Sequence, residues 1–236
     1  MDIASDGKIF STNPEPLAEL LNGIDKHKIA LPNFQRPWIW QPDMVHGLII
    51  SVAYRYPAGS ILTMPVNGGS FALRPFEGTG DELTDKPNLM VLDGQQRLTS
   101  LYQALYSRNG VRVKGKTYYF YLDIPLLMSD EDGCIEVGEP CFDKALFYVS
   151  EERNGKKIRY EGLQPVYELT TRQDELKAGA MPLWAVFDTT DYMSQWKDEY
   201  LITMLGEDTP LSVYKEHNNK WDKLVRPWIE RIKTYP

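Results

Sequence analysis

The chain has 236 residues, 42% hydrophobic and 25% charged, which is enough for one sizeable core and unlike a disordered polymer. Its formal charge of −7 argues against a stand-alone basic DNA-binding module, although a local basic cleft is compatible with it. No apolar run reaches the roughly 18 residues that span a bilayer. Met1 to Lys8 lacks the basic and apolar regions of a signal peptide, so a cytoplasmic protein with no membrane contact is expected.

Pro14 and Pro16 precede Leu17, Leu20, Leu21 and Ile24 at helical spacing, which predicts a helix over 14–26. Ile29-Ala30-Leu31 reads as a short strand. Pro32 to Trp40 is bracketed by prolines that bias their predecessors toward extended geometry, so an ordered loop is expected. A second helix is predicted over 42–55, with Val45, Leu48, Ile49 and Val52 as its buried face. Ser60 to Met64 reads as a strand, residues 65–87 as a hairpin or an irregular insertion with an edge strand at Ser70 to Leu73, and Asn88 to Leu92 as a strand. A third helix follows to about Ser107, with Leu98, Leu101, Tyr102 and Leu105 on one face.

Beyond Gly110 the pattern turns β-rich. Lys116 to Ile124 is an aromatic strand, 129–143 an acidic loop, and Ala145 to Ser150 another strand. Asn154-Gly155 marks a turn from which Lys157 to Tyr160 returns as a hairpin. From about 165 the chain reads as helical and tryptophan-rich, with Trp184, Trp196, Trp221 and Trp228. This divides the chain into a core over 1–110, a β-rich extension of the same domain over 111–165, and a helical region over 166–236. Cys134 and Cys141 are too few for a disulfide scaffold and lack the neighbours of a zinc site. His27, His46 and His217 are scattered and read as surface or structural residues. No Walker lysine loop is present.

The richest stretch is Val91-Leu92-Asp93-Gly94-Gln95-Gln96-Arg97-Leu98-Thr99-Ser100-Leu101, a strand, a tight turn and a helix start. Two readings compete. In one, Asp93 is an N-cap and Gln96, three residues on, completes a capping box. In the other, free backbone N–H groups and Arg97 converge on a phosphate. Capping leaves Gln95 and Arg97 without a role, and it places an arginine where the helix dipole disfavours cations. In the proline-bracketed loop, Phe34, Trp38 and Trp40 read as an aromatic plug. Gln35-Arg36 fits a core poorly and suits a phosphate, and Phe34 or Trp38 could stack a base.

Three motifs in order carry a resemblance: Leu31-Pro32-x-Phe34-Gln35-Arg36-Pro37-x-x-Trp40, Tyr56-Pro57-x-Gly59-Ser60-Ile61-Leu62, and Leu92-Asp93-Gly94-Gln95-Gln96-Arg97-Leu98-Thr99-Ser100-Leu101. Together they resemble the N-terminal, GmrS-like domain of GmrSD-type modification-dependent restriction endonucleases, of the ParB/sulfiredoxin-like superfamily. The resemblance implies an α+β fold, a small mixed sheet with packed helices followed by a mainly helical region. It also implies a nucleotide site at Asp93 to Arg97 that binds and hydrolyses a nucleoside triphosphate. DNA carrying a modified base or a phosphorothioate would be sensed, and an HNH-type nuclease partner controlled. The HNH-type nuclease domain itself is absent from this sequence, so no DNA cleavage is expected from this chain alone.

On this basis Asp93, Gln95, Gln96 and Arg97 are the expected catalytic residues. Gln35, Arg36, Gly94, Arg97, Thr99 and Ser100 are the expected phosphate-binding set. Phe34 and Trp38 are candidates for base stacking, and Asp93 for Mg²⁺. The alternative is a non-catalytic module that grips a DNA phosphate in the same pocket.

Overall fold

The computed structural model describes residues 14–66, 71–129 and 142–236. Both cysteines and most of the acidic loop expected at 129–143 lie outside them. The chain opens with helix α1 (Leu17–Asp25), strand β1 (Ile29–Pro32) and helix α2 (Pro42–Ala53). Pro42 occupies the first turn of α2, where its missing N–H costs nothing, and Asp43 sits at the positive end of the helix dipole. Strands β2 (Leu62–Pro65), β3 (Leu73–Arg74) and β4 (Leu89–Asp93) lead to helix α3 (Gln95–Leu105).

Four strands form the first sheet in the order β2-β4-β1-β3. β1 runs parallel to β4, with Ile29 opposite Leu89 and Ala30 opposite Met90. The other pairings are antiparallel. Every residue of β1 is buried, as expected of an inner strand. β4 beside it ends at the turn into α3, so the candidate site lies where the sheet meets that helix.

α3 is buried nearly all round. Leu98, Leu101, Tyr102 and Leu105 face the core as expected, and the polar Gln95, Thr99, Ser100 and Gln103 are buried with them. Such a helix has no solvated face to spare, so its polar side chains must find partners in other segments.

A second sheet follows, built on β5 (Val111–Val113) and β6 (Lys116–Asp123). Helices α4 (Ile124–Met128) and α5 (Phe142–Ala145) precede β7 (Leu146–Ser150), which lies along one edge of β6. The Asn154-Gly155 turn forms as expected: the Glu152 N–H donates to the Lys156 carbonyl, and Glu151 bridges Lys157. The returning strand β8 (Ile158–Glu161) then pairs with β9 (Gln164–Glu168) in a separate ribbon.

The stretch after 165 is not uniformly helical. It holds part of β9, helix α6 (Arg172–Ala178) and strand β10 (Ala180–Pro182), which pairs with β6 beside β5. The short strand, three residues with a proline, carries no period that sequence could reveal. A 3₁₀ turn (Leu183–Phe187) and helices α7 (Tyr192–Leu205), α8 (Leu211–Leu224) and α9 (Arg226–Lys233) complete the chain. Trp196, Trp221 and Trp228 are buried in the same core cluster as Leu17 and Val91, so one apolar core joins both ends of the chain. The histidines are structural: Nδ1 of His27 meets Thr84, Nε2 of His46 meets the Leu146 carbonyl, and Nδ1 of His217 meets that of Val213.

Candidate functional site

β4 carries the chain into the site. Val91 is buried, and Asp93 emerges with 75% of its side chain exposed. Gly94 then adopts φ +97 and ψ 3, a left-handed conformation, and serves as N-cap of α3. A Cβ at this position would lie 2.4 Å from Cδ1 of Ile61, so both dihedral and contact require glycine.

No side chain caps α3. The first N–H groups of a helix have no acceptor within the helix and carry the positive end of its dipole. Gln95, Gln96 and Arg97, which bear those groups, line a cavity of about 350 Å³ together with Gln35, Arg36 and Trp40 from the proline-bracketed loop.

Carboxamides stitch that loop to β4 and α3. Nε2 of Gln35 donates to the Val91 and Leu92 carbonyls at 2.6 and 3.0 Å. Nε2 of Gln95 donates to the Arg36 carbonyl at 3.0 Å. Gln96 grips the loop twice, donating to the Pro37 carbonyl at 3.2 Å and accepting from the Ile39 N–H at 3.0 Å. The Trp38 indole N–H reaches Oγ of Ser100 at 3.0 Å. Pro32 ends β1 and Pro37 supplies no N–H, so side chains anchor much of the stretch from Gln35 to Trp40.

The two arginines of the cavity differ. Arg97 donates through Nη1 to the Ala58 carbonyl at 2.5 Å and through Nη2 to the Ser60 carbonyl at 2.7 Å. Asp93 lies 3.7 Å from its Nη2. Arg97 therefore closes the turn before β2. Arg36 is exposed, and its guanidinium makes no hydrogen bond or ion pair among the described residues.

The expected site is thereby brought together in part. Gln35, Arg36, Asp93, Gly94, Gln95, Gln96 and Arg97 share one cavity. Thr99 and Ser100 do not join it: both are fully buried, and the Ser100 hydroxyl donates to the Gln96 carbonyl at 2.7 Å. A helix turns about 100° per residue, which carries both positions away from its N-terminal opening. The Asp93–Gln96 capping box is not formed, because Gly94 is the cap and Gln96 is engaged by the loop. A capping box does occur in α6, between Thr171 and Asp174. Gln95 and Gln96 act as braces, with their amide nitrogens on loop carbonyls.

Phe34 is 68% exposed and packs edge-on against Phe71, outside the cavity. Trp38 lines a different cavity, and Trp40 lines this one. Sequence reasoning treated Trp40 as plug only, although its place at the end of the proline-bracketed loop was the available clue. It missed Glu77 entirely. Glu77 accepts from the Trp38 backbone N–H at 3.1 Å and pairs with Arg74 at 3.0 Å.

The cavity offers Mg²⁺ one carboxylate, so most of the ion's ligands would be water and nucleotide phosphates. Asp93 is the single carboxylate among the residues lining the cavity, and it already faces Arg97. Among the described residues no group of three or more His, Cys, Asp or Glu converges. Hard divalent cations need several oxygen ligands. Among the described residues, too, no helix is long and apolar enough to cross a membrane.

Comparison with known proteins places the chain in a family. Residues 17–222 match the family described as "GmrSD restriction endonuclease, N-terminal domain". The chain is also similar to an uncharacterized protein of Methanocaldococcus jannaschii, 34% identical over 129 residues, which is 52% of this chain and 22% of that protein. The chain thus spans well under two thirds of that relative. The family match runs from α1 into α8 and so takes in both sheets and the cavity at the start of α3: the chain belongs to the GmrSD restriction endonuclease N-terminal domain family.

Proposed function

We propose that this chain is the nucleotide-binding regulatory module of a DNA restriction system, acting on a nuclease part supplied by another domain or subunit. One observation carries the reading: the uncapped N-terminus of α3 and the unengaged guanidinium of Arg36 open into the same cavity. Backbone N–H groups at a helix start and an arginine fork are complementary to phosphate oxygens.

In this reading the α3 N–H groups and Arg36 hold the phosphates, and Arg36 neutralises charge that develops at the terminal phosphorus during hydrolysis. Arg97 supports the wall behind them. A glutamine that lines the cavity, Gln35, Gln95 or Gln96, orients the attacking water. Water adds to the terminal phosphorus, the bridging P–O bond breaks, and the proton leaves with inorganic phosphate. A divalent cation would arrive on the nucleotide's own phosphates.

Titration calorimetry with nucleoside triphosphates tests this. Arg36→Ala, an exposed substitution, should weaken binding tenfold or more while circular dichroism stays unchanged. Equal affinity in wild type and Arg36→Ala would overturn the site.

A second reading has its own observation. Phe34, on the loop that carries Arg36, forms an exposed aromatic pair with Phe71 from the segment before β3. Such a pair beside a free arginine suits a DNA strand, with Arg36 on a phosphate and an aromatic against a base. DNA affinity that falls steeply with salt, and that Phe34→Ala lowers, would favour this reading over nucleotide binding.

A further inference from the structure

A second cavity, of about 520 Å³, shares no lining residue with the first but includes Trp38 from the same loop. Trp38 forms one wall, and its ring is fixed because the indole N–H is bonded to Ser100 on α3. The Gly78-Thr79-Gly80-Asp81 turn lines the cavity as well. Gly78 and Gly80 hold φ of +104 and +126, and a Cβ on Gly80 would meet nothing within 4 Å. Gly80 thus stands clear of other atoms, whereas a Cβ on Gly78 would lie 3.1 Å from Cγ of Gln103. Gln103 is 2% exposed and rigidifies the site, donating to the Glu77 carbonyl at 2.8 Å and accepting from the Arg112 N–H at 3.1 Å.

Glu77 is the unusual member. Oε1 serves both Trp38 and Arg74, while Oε2 is buried and has no partner among the described residues. Leaving an acceptor of a charged group unsatisfied is costly, which makes it a ready receiver for an N–H donor. Arg112 and Asn109, both exposed, add donors to the cavity. An aromatic ring, one unpartnered carboxylate oxygen and two donor side chains lining the same cavity match a flat heterocycle with both donor and acceptor on its edge.

We propose that this cavity binds a nucleobase bearing an exocyclic amino group. The base stacks on Trp38, its amino group donates to Oε2 of Glu77, and a ring acceptor takes a hydrogen bond from Arg112 or Asn109. Uracil and thymine are disfavoured, because their single ring N–H is flanked by two carbonyl oxygens that repel the carboxylate. The site is separate from the phosphate cavity and does not depend on it.

The experiment is saturation-transfer NMR of the whole chain with cytidine, adenosine and uridine, none of which carries a phosphate. Cytidine and adenosine should bind, and uridine at least tenfold more weakly. Arg36→Ala should leave all three unchanged, so failure of the phosphate site and failure of this one are distinguishable. Glu77→Gln should erase the preference for amino-bearing bases. Because Glu77 also holds Trp38, a second variant is needed: Arg112→Ala lies outside that network and should weaken cytidine severalfold with the fold intact. Absence of nucleoside binding, equal binding of uridine, or insensitivity to both variants would overturn the proposal. Competition between cytidine and a short oligodeoxycytidine then separates a free nucleoside from a base presented by a strand. Mutual displacement with tighter binding of either one supports the site and names the source, and lack of displacement overturns it.

Discussion

Gly59 and Arg97 are fitted to one another: a Cβ on Gly59 would lie 2.5 Å from Nη1 of Arg97, and Gly59 itself has φ +85. The guanidinium takes the carbonyls on either side of this glycine, those of Ala58 and Ser60. Gly59→Ala therefore adds left-handed strain and pushes the arginine off its acceptors. A loss of about 2–4 kcal/mol is expected by urea denaturation. Arg97→Lys keeps the charge but not the fork, and should cost about 1–3 kcal/mol. If both variants unfold at the wild-type urea concentration, the clamp is not structural.

Gln96 gives a second prediction. Its carboxamide holds the Pro37 carbonyl and the Ile39 N–H, which lie in a loop with few backbone bonds of its own. Gln96→Ala removes both contacts, at a cost of about 1–2 kcal/mol. The observable consequence is local: amide hydrogen exchange at Ile39 should accelerate, while Val91 in β4 stays protected. Unchanged exchange at Ile39 would show that the loop is held by its aromatic packing alone.

Glu175 predicts a pH dependence. Its carboxyl is buried in α6, accepts a hydrogen bond from the Tyr121 hydroxyl at 3.1 Å, and is pushed up to about 7, chiefly because burial disfavours the charged form. Nearby Lys157 and the Tyr121 bond pull in the other direction without cancelling it. A pKa raised on folding means that the folded state binds the proton more tightly. The associated stability is fully present below the unfolded value of 4.5 and is lost as pH rises through about 7. The change is on the order of 3 kcal/mol. Denaturation midpoints of wild type and Glu175→Gln, measured from pH 4 to 9, should diverge across that window, with the variant losing less. Parallel curves would show that Glu175 does not titrate there.

Much of this was legible in the residues, because local rules governed it. Leu17, Leu21 and Ile24 recur at helical spacing and are buried, and Asn154-Gly155 turns the chain. Gly94 and Arg36 are singled out as candidates by chemistry that depends on near neighbours, and both line the cavity. The site residues that misled are those whose partners lie far along the chain. Gln96 meets a capping-box pattern three residues from Asp93, yet its partners are Pro37 and Ile39. Arg97 sits where an anion is welcome, yet carbonyls from another loop claim it. Glu77 lies in a segment rich in glycine and proline that suggested only irregular chain. Its importance comes from Trp38, which no spacing connects to it.

Thr99 separates the motif's structural part from its chemical part. It follows Arg97 by two residues, and as a polar residue at a helix start it reads as a phosphate ligand. It is nevertheless fully buried, and Oγ1 has no partner among the described residues. Thr99→Val keeps the side-chain shape and removes the unsatisfied hydroxyl, so it should raise stability by about 1 kcal/mol. In the same sample, nucleotide affinity should match wild type, whereas Arg36→Ala loses it. Weakened nucleotide binding in Thr99→Val, with stability unchanged or lower, would return the hydroxyl to the phosphate site and require α3 to rotate when ligand binds.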